Sequence, residues 1–406
     1  MAGPLKGLRV LDLSRILAGP WTSQLLADFG AEVIKVERPV TGDDTRAWGP
    51  PYLSGEQGVE TRESAYFLSA NRGKKSITVD ISTTDGRAII RELAATSDVF
   101  VENYKTDDMA RYGLDYGSLS RLNPQLVYCS ITGFGQTGPY RSRPGYDFVI
   151  QAMGGLMSIT GQPDDEGGRP MKCGVPVSDL MTAMYSTSAI LGALVERTTS
   201  GKGQYIDMSL LDVQVAWLAN QASNYLISGA CPERMGNAHP NLAPYQTFQA
   251  SDGELIIAVG NDRQFRSLCC VLGSEDLADD ARFATNSARL AHRRELVERL
   301  GEMTSRHQKD SLLAQLTAAG VPAAPVRTIP EALADEHLRS RNMLRSLKNS
   351  QGLDVPFIAN PVKFSRSTLE YNLPPPRLGE HTMQVLTENL GWTEADVRAA
   401  RAARAI

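Results

Sequence analysis

Short apolar stretches alternate with helical patterns through the first third of the chain, and this alternation most constrains its fold. Strand-like segments occupy residues 8–13, 32–37, 76–79, 98–102 and 126–131, and helical patterns follow Pro20 and cover residues 85–95. Buried strands that alternate with helices are typical of a largely parallel sheet, so we expect an α/β fold. In such sheets the ligand crevice lies at the carboxyl ends of the strands.

Changes in composition divide the rest of the chain. Residues 229–244 contain several glycines and prolines, and residues 321–325 read Val-Pro-Ala-Ala-Pro, as loops and linkers do. With 406 residues, the chain is long enough for two or three domains. We therefore expect a small unit inserted between two parts of a larger domain.

Charge and cysteine usage exclude some classes of function. The net charge of −4 argues against a nucleic-acid binder, although a local basic cluster could still hold an anionic ligand. The five cysteines form no C-x-x-C pair and the five histidines are far apart, so we predict a reducing compartment and no metal site. The first residues lack an apolar signal core, and no run of about 18 apolar residues occurs. We expect a cytoplasmic protein without a membrane span.

Asp179 stands at the start of a strongly helical apolar pattern. The residues that recur at helical spacing after it are Leu180, Ala183, Met184, Thr187, Ile190, Leu191 and Leu194. An aspartate in this place has two interpretations. It can be an N-cap, or it can be a nucleophile that free N–H groups and the helix dipole keep ionised.

Three basic clusters lie near predicted strand ends. Lys35 and Arg38 flank the second strand, residues 71–76 read Asn-Arg-Gly-Lys-Lys-Ser, and Arg111 follows the strand at 98–102. Arg and Lys pair with phosphate oxygens, so the clusters together could hold a ligand with several phosphates. Each cluster alone is also compatible with a solvated charged surface.

Two glycine-rich segments and one tyrosine complete the candidates. Residues 133–138 match G-x-G-x-x-G, but Pro139 and Pro144 follow instead of a helix, which argues against a dinucleotide site. Residues 154–161 either present backbone N–H groups as an oxyanion hole or form only a tight loop. Tyr146 either lines a pocket or packs in the core.

Seven motifs in one order make the chain resemble the class III CoA-transferase (CaiB/BaiF) family over almost its full length. They are LDLSRILAGP at 11–20, GAEVIKVERP at 30–39, GDDTR at 42–46, NRGKKSI at 71–77, VENY at 101–104, GYD at 145–147 and GKGQ at 201–204. Within the family the chain looks most like the succinyl-CoA–glutarate type, through residues 42–51, 130–139, 155–161, 238–239 and 244–248. The resemblance implies that CoA passes from a donor such as succinyl-CoA to a dicarboxylic acid such as glutarate. CoA is then a substrate, and no cofactor is permanently bound.

The resemblance also implies roles for individual residues. Asp179 would be the nucleophile that carries CoA as an aspartyl thioester. The implied CoA contacts are Arg38, Arg72, Lys74, Lys75, Asn103, Arg111 and Tyr146. The distal carboxylate of the acceptor needs a cationic partner, for which Arg46, Arg169 and His239 are the candidates.

The family fold implies a large Rossmann-like CoA-binding domain and a smaller α/β domain. The large domain would comprise residues 1–205 and 345–406, and the small domain residues 240–325. Residues 206–239 and 326–344 would be linkers that thread through a second copy of the chain, which gives an interlocked homodimer.

Alternatives within and outside this family remain. Leu17 stands where formyl-CoA transferases carry Gln, which argues against an oxalate or formyl role. Related α-methylacyl-CoA racemases place a catalytic His where this chain has Tyr146, and a Tyr with a pKa near 10 is a poor base at neutral pH. Racemisation is therefore the second hypothesis, and a catalytically silent acyl-CoA-binding protein is the third.

Overall fold

The computed structural model describes residues 2–55 and 58–406, which divide into two units. The first unit runs to Leu156 and continues over Lys172–Ser228 and His337–Ile406. The second unit comprises Met157–Met171 and Gly229–Glu336. Each unit has an apolar core of its own.

Strands and helices alternate along the chain. The strands are β1 (Arg9–Asp12), β2 (Glu32–Glu37), β3 (Tyr52–Ser54), β4 (Glu60–Ser64), β5 (Lys74–Thr78), β6 (Val99–Glu102), β7 (Val127–Thr132), β8 (Tyr205–Ser209), β9 (Tyr245–Ala250), β10 (Gly253–Ala258), β11 (Ala323–Pro325), β12 (Leu344–Lys348) and β13 (Asp354–Ile358). The helices are α1 (Ala18–Asp28), α2 (Ala65–Ala70), α3 (Thr84–Ala95), α4 (Asp108–Tyr112), α5 (Tyr116–Leu122), α6 (Asp147–Met153), α7 (Leu156–Ile159), α8 (Val177–Ser200), α9 (Leu210–Ala216), α10 (Ala219–Ser228), α11 (Asp262–Val271), α12 (Glu275–Asp279), α13 (Asn286–Ala291), α14 (Arg293–Thr304), α15 (Lys309–Ala318), α16 (Ile329–Leu333), α17 (Glu336–Ser340), α18 (Thr382–Leu390) and α19 (Glu394–Ala402). Among the residues described, no helix is both long and apolar enough to cross a membrane.

Six parallel strands form the central sheet of the first unit, in the order β5-β2-β1-β6-β7-β8. Helices cover both faces, so inner strand residues such as Leu11, Ile34 and Val127 are fully buried. Strands buried on both faces read as continuous apolar runs, which is why the sequence revealed them. The predicted α/β fold with a parallel sheet is confirmed, and the predicted strand ends differ from the observed ones by at most two residues.

Two helical layers sandwich this sheet. On one face α1 and α8 contribute Leu26, Ile190 and Leu194 to the core. On the other face α3, α5, α18 and α19 contribute their apolar sides, including Ile90 and Val397. The last helix of the chain therefore packs into the same core as the first strand.

The strand order reverses between β1 and β6. β2 and β5 lie on one side of β1, whereas β6, β7 and β8 lie on the other. Loops that leave the carboxyl ends of two such strands diverge, which opens a crevice between them. The segments that border this crevice are residues 13–17 after β1 and 103–107 after β6.

The second unit contains a three-stranded antiparallel sheet in the order β11-β10-β9, covered by α11–α15. Its extent differs from the predicted small domain. Residues 206–239 are not a linker, because β8 completes the central sheet and α9 and α10 continue the first unit to Ser228. The boundary between the two units, at Glu336 and His337, falls within the predicted linker 326–344, where α16 and α17 form.

Candidate active site

A cleft of about 290 Å³ in the first unit lies where the strand order reverses. Its walls include Leu17 after β1, Asn103 after β6, Thr132 at the end of β7, and Leu210 after β8. Tyr146 and Asp179 complete it. The cleft therefore brings together three of the residues singled out in the sequence, Asp179, Asn103 and Tyr146.

Positive charge predominates around this cleft. The cationic side chains along it are Arg15, Lys105, Arg141 and Arg143, whereas its carboxyl groups are Asp108 and Asp179. Arg141 is paired with Asp107 at 2.9 Å, and Arg15 with Asp44 at 2.5 Å. Among the described residues, Lys105 and Arg143 form no ion pair, so these two cations can attract an anionic ligand. The sequence had not singled out any of these four residues as a ligand contact, although Arg15 lies within the motif at 11–20.

Asp179 is the third residue of α8, and Pro176 is the N-cap, so the interpretation of Asp179 as an N-cap is wrong. The cap comes from another helix. Asp147, the first residue of α6, accepts the backbone N–H of Ser178 at 2.8 Å and that of Asp179 at 3.3 Å through its Oδ1. The first N–H groups of α8 are therefore satisfied by a carboxylate 32 residues earlier in the chain.

A hydrogen-bond network holds Asp147 and the start of α8. Gln151 Nε2 donates to Asp147 Oδ2 at 2.6 Å, and Gln151 Oε1 accepts the Cys173 N–H at 2.9 Å. Ser178 Oγ donates to Gln214 Oε1 at 2.7 Å. The backbone on both sides of Asp179 is thus tied to α6 and α9, which restricts the positions that its carboxyl group can take.

Burial raises the pKa of Asp179 to about 7, and the nearby charge of Asp147 adds to this rise. The sequence had led us to expect that the helix dipole keeps Asp179 ionised. In the structure, desolvation and repulsion outweigh the dipole. The Asp179 carboxyl group therefore keeps its proton to a higher pH than an ordinary aspartate does.

Tyr66, on α2, is a neighbour of Asp179 that the sequence did not reveal. Burial raises the pKa of its phenol to about 12, with further contributions from Asp179 and Asp147. Tyr66 therefore keeps its proton at neutral pH and is a hydrogen-bond donor. Its ring packs edge-on against Trp48, with 5.1 Å between ring centroids.

Asn103 and Tyr146 differ in how they are held in the cleft. Asn103 Oδ1 accepts the N–H of Arg15 at 2.8 Å and its Nδ2 donates to the Arg15 carbonyl at 2.7 Å. Asn103 thereby ties the loop after β6 to the loop after β1. Tyr146 is 59% exposed, so it lines the cleft and is not a core residue.

Arg38 and Arg111 lie outside the residues that line this cleft. Arg38 is exposed at the end of β2 and lines a second cavity of the first unit. Arg111 is exposed on α4, where it pairs with Asp108 at 3.1 Å and donates to the Tyr112 hydroxyl at 3.2 Å. Their roles as CoA contacts stay predictions.

Lys74 and Arg72 point into the protein interior. Lys74 Nζ is fully buried and contacts Asp12 Oδ2 at 3.2 Å, the Pro20 carbonyl at 2.8 Å and Asn71 Oδ1 at 2.9 Å. Arg72 binds both carboxylate oxygens of Asp28, at 2.9 and 2.6 Å. The predicted CoA contacts are corrected for both residues, because these donors already have internal acceptors.

Arg46 and Lys75 are also paired within the first unit. Arg46 binds both oxygens of Glu37, each at 2.8 Å, and donates to the Pro376 carbonyl at 3.0 Å. This pairing corrects its assignment as an acceptor contact, since the guanidinium fork is already satisfied. Lys75 pairs with Glu32 at 2.8 Å and is partly exposed, which leaves its CoA contact a prediction.

The remaining predicted residues belong to the second unit or to the segment that enters it. Arg169 is exposed there, and His239 Nδ1 accepts the N–H of Asn241 at 3.0 Å. Residues 154–156 of the glycine segment belong to the first unit, whereas residues 157–161 belong to the second. Gly154 has a packing reason of its own, because a Cβ there would approach Gln214 Cγ to 2.4 Å. The oxyanion role of this segment stays a prediction.

Known proteins resemble this chain over nearly its whole length. The family model for CoA-transferase family III matches residues 5–382. A protein from Agrobacterium fabrum (strain C58) named succinate–glutarate CoA-transferase is 52% identical over 385 residues, which cover 95% of each chain. A Homo sapiens protein named succinyl-CoA:glutarate CoA-transferase is 40% identical over 391 residues, covering 96% of this chain and 87% of that protein. The crystal structure of a CaiB/BaiF family protein from Brucella suis is 51% identical, with a TM-score of 0.83 over 96% of this chain and 100% of that chain.

Proposed function

Because this chain belongs to CoA-transferase family III, we propose that it transfers CoA from succinyl-CoA to glutarate through a thioester on Asp179. The names of the similar A. fabrum and human proteins support the two acids. The observation that carries the role of Asp179 is its position, a carboxyl group in a cleft whose other charged side chains are mostly cationic.

The reaction needs no external base. The Asp179 carboxylate attacks the thioester carbonyl of succinyl-CoA, which forms a mixed anhydride and releases CoA thiolate. The thiolate then attacks the Asp179 carbonyl of the anhydride, which releases succinate and leaves an aspartyl-CoA thioester. Glutarate attacks this thioester to give a second anhydride and the thiolate. Attack of the thiolate on the glutaryl carbonyl yields glutaryl-CoA and restores the carboxylate.

Each of these attacks creates negative charge on a carbonyl oxygen. Donors that are fixed before the reaction stabilise such an oxyanion without a reorganisation cost. Tyr66 keeps its proton at neutral pH and neighbours Asp179, so its O–H is one proposed donor. Backbone N–H groups of the glycine segment, residues 154–161, are the others.

Substrate contacts complete the proposal. Asn103 and Tyr146 hold the acyl end of CoA, together with the cationic side chains that line the cleft. Arg38, Lys75 and Arg111 supply charge for its phosphates. For the distal carboxylate of the acceptor, the proposed partners are Arg169 and His239.

We also propose that the protein is a cytoplasmic homodimer whose two chains interlock. Five free cysteines suit a reducing compartment. For the dimer, the support comes from α10, which has no buried residue and exposes Tyr225, Leu226 and Ile227 by 52, 79 and 88%. Large apolar side chains that are exposed in this way on one helix are typical of an interface.

The test is intact-mass analysis after incubation with succinyl-CoA. The wild-type protein should gain the mass of one CoA less one water, and peptide mapping should locate the adduct on Asp179. Asp179→Ala should form no adduct. Asp212→Ala, which removes an exposed carboxylate at the start of α9, should behave as wild type.

Two other results would overturn the proposal. Exchange of the α-proton of a 2-methylacyl-CoA with deuterated water, without an acceptor acid, would identify a racemase. Absence of both an adduct and acyl exchange with a panel of dicarboxylic acids, with acyl-CoA still bound, would identify a silent acyl-CoA-binding protein.

A further inference from the structure

The loop after β1, residues 13–17, contains a strained residue beside the cleft. Ile16 has a φ of 73°, a left-handed conformation that β-branched residues rarely adopt. Ile16 and the next two residues, Leu17 and Ala18, line the cleft that contains Asp179. Strain of this kind persists only where the surrounding structure fixes the backbone, and it is common at active sites. The conformation of residue 16 therefore sets the position of one wall of the cleft.

Three side chains from different segments bind three consecutive backbone N–H groups of this loop. The donor–acceptor pairs are Ser14 N–H with Asp12 Oδ1 at 2.8 Å, Arg15 N–H with Asn103 Oδ1 at 2.8 Å, and Ile16 N–H with Asp43 Oδ1 at 3.2 Å and Oδ2 at 3.3 Å. The acceptor of the strained residue is thus Asp43, which follows β2. Because each of these N–H groups has its own acceptor, the path of the backbone toward α1 is closely fixed.

Asp43 is itself buried and held from two sides. Lys35 Nζ, which is also fully buried, donates to Asp43 Oδ2 at 2.9 Å and to the Ser14 carbonyl at 2.9 Å. Thr45 donates to Asp43 Oδ1 through its N–H at 3.0 Å and its hydroxyl at 2.8 Å. Burial opposes the ionisation of Asp43, but the charge of Lys35 outweighs burial and lowers the pKa to about 2. The Ile16 N–H therefore meets a charged acceptor, which makes the stronger kind of hydrogen bond.

Asp43 belongs to the motif at 42–46, which the chemistry at Asp179 does not use. Arg46, from the same motif, binds both carboxylate oxygens of Glu37. β2 lies beside β1 and runs parallel to it, so the segment after β2 can reach the loop after β1. The motif thereby places a buried carboxylate against that loop.

We propose that Asp43, held by Lys35, is a positioning residue that keeps Ile16 at a positive φ and so fixes the cleft wall at Leu17 and Ala18 for CoA transfer. This inference rests on the proposed function. Without the Asp43 carboxylate, residue 16 should relax to a negative φ, which rotates the peptide that leads to Leu17. A displacement of about 1 Å in a catalytic site can cost about a hundredfold in rate.

The experiment is a double-mutant cycle between positions 43 and 16 of the full-length protein. Asp43→Ala should lower kcat for transfer from succinyl-CoA to glutarate by about tenfold to a hundredfold. Glycine adopts a positive φ without strain, so Asp43→Ala combined with Ile16→Gly should have a kcat at least about fivefold above that of Asp43→Ala. Ile16→Ala is the matched control, because alanine also loses the side chain beyond Cβ but keeps the strain. Combined with Asp43→Ala, it should recover nothing.

Asp28→Ala controls for a general loss of stability. Asp28 is buried at the other end of α1, where it binds Arg72 through both carboxylate oxygens. Its replacement should lower the melting temperature as Asp43→Ala does, because both leave a buried cation without its partner. The kcat of the folded variant should stay within about twofold of wild type, and Ile16→Gly should not raise it. If Asp43→Ala does not fold, Lys35→Met combined with Asp43→Ala takes its place, since it removes both charges of the pair.

Crystal structures of the variants give a readout that does not depend on catalysis. Residue 16 should have a negative φ in Asp43→Ala and a positive φ when Ile16→Gly is added. A positive φ at residue 16 in Asp43→Ala would overturn the inference, because Asp43 would then not hold the loop. Equal kcat values for the Ile16→Gly and Ile16→Ala combinations would overturn it too.

A failure of the proposed function would look different. Wild type would then transfer no CoA from succinyl-CoA to any acid, while the φ of residue 16 would still change on loss of Asp43 and return with Ile16→Gly. Normal transfer by both wild type and Asp43→Ala would leave the proposed function intact and reject this inference alone.

Discussion

Asp147 acts on Asp179 in two opposite ways. Its Oδ1 accepts the Asp179 backbone N–H at 3.3 Å, which positions the residue, while its negative charge raises the pKa of the Asp179 carboxyl group. Burial contributes more to that pKa than Asp147 does. Asp179 is therefore fixed in position and has a raised pKa, and several measurable properties depend on that pKa.

The activity should depend on the ionisation of Asp179. Its carboxylate is the attacking form, and the pKa of about 7 means that the protonated form dominates at lower pH. We expect kcat/KM for succinyl-CoA to rise tenfold per pH unit below about pH 7 and to level off above it. Initial rates between pH 5 and 9 measure this limb. A flat profile between pH 5 and 7 would contradict the raised pKa.

Replacement of Asp147 should shift this pH profile. Asp147→Asn keeps an oxygen for the N–H groups of Ser178 and Asp179 but removes the charge that disfavours the Asp179 carboxylate. The limb should move to lower pH by about one unit. Asp212→Asn, an exposed residue outside the cleft, is the control and should leave the limb in place. An unshifted limb in Asp147→Asn would show that burial alone sets the pKa.

Asp179 should lower the free energy of unfolding at neutral pH. An acid whose pKa is raised from 3.8 to about 7 in the folded state disfavours its charged form there. Its contribution to the free energy of unfolding therefore falls as the pH rises from about 4 to about 7, and it stays low above. Asp179→Asn should increase the free energy of unfolding by about 1–2 kcal/mol at pH 8 and hardly change it at pH 4. Urea titrations at the two pH values provide the measurement, and equal effects at both would refute the expectation.

Lys74 should behave as a structural residue and not as a CoA contact. Lys74→Met leaves the fully buried Asp12 without one of its cationic partners, which should lower the free energy of unfolding by about 3 kcal/mol. Lys75→Met, at the neighbouring partly exposed position of β5, should change it by less than about 0.5 kcal/mol. The folded Lys74→Met enzyme should keep its KM for succinyl-CoA within about twofold. A large rise in KM at unchanged stability would restore the predicted CoA contact.

The exposed face of α10 should be an interface between two copies of the chain. Leu226→Asp combined with Ile227→Asp places charges on a surface that the proposed dimer buries. We expect size-exclusion chromatography with light scattering to show a dimer for wild type and a shift to monomer or aggregate for the variant. Glu92→Asp, an exposed change on α3, should leave the mass unchanged. A wild-type monomer would reject the proposal.

The sequence predicted the sheet better than the site. β1, β6 and β7 are buried along most of their length, so each contains a short apolar run that the sequence reveals. The sequence does not show which basic side chains of residues 71–76 are buried, because burial of a lysine on a strand depends on the neighbouring strands. Lys74 meets Asp12 only because β5, β2 and β1 lie side by side.

Contacts between distant segments explain what the sequence could not show about Asp179. The capping carboxylate comes from α6, which packs against α8 only in the folded chain, so no local pattern connects Asp147 with Asp179. Tyr66, on α2, also interacts electrostatically with Asp179. The helical pattern predicted that Asp179 stands at the start of a helix, but it did not predict the pKa that these neighbours produce.

The shared core of the chain ends affects how the protein folds during synthesis. Leu11 on β1 and Ala405 beyond α19 belong to one apolar cluster, so this cluster is incomplete until residue 405 has left the ribosome. The core of the second unit, by contrast, is built from residues between Ala243 and Val321 and is complete well before that. We expect the second unit to fold first on the nascent chain. The central sheet of the first unit should stay partly exposed until α19 packs against it.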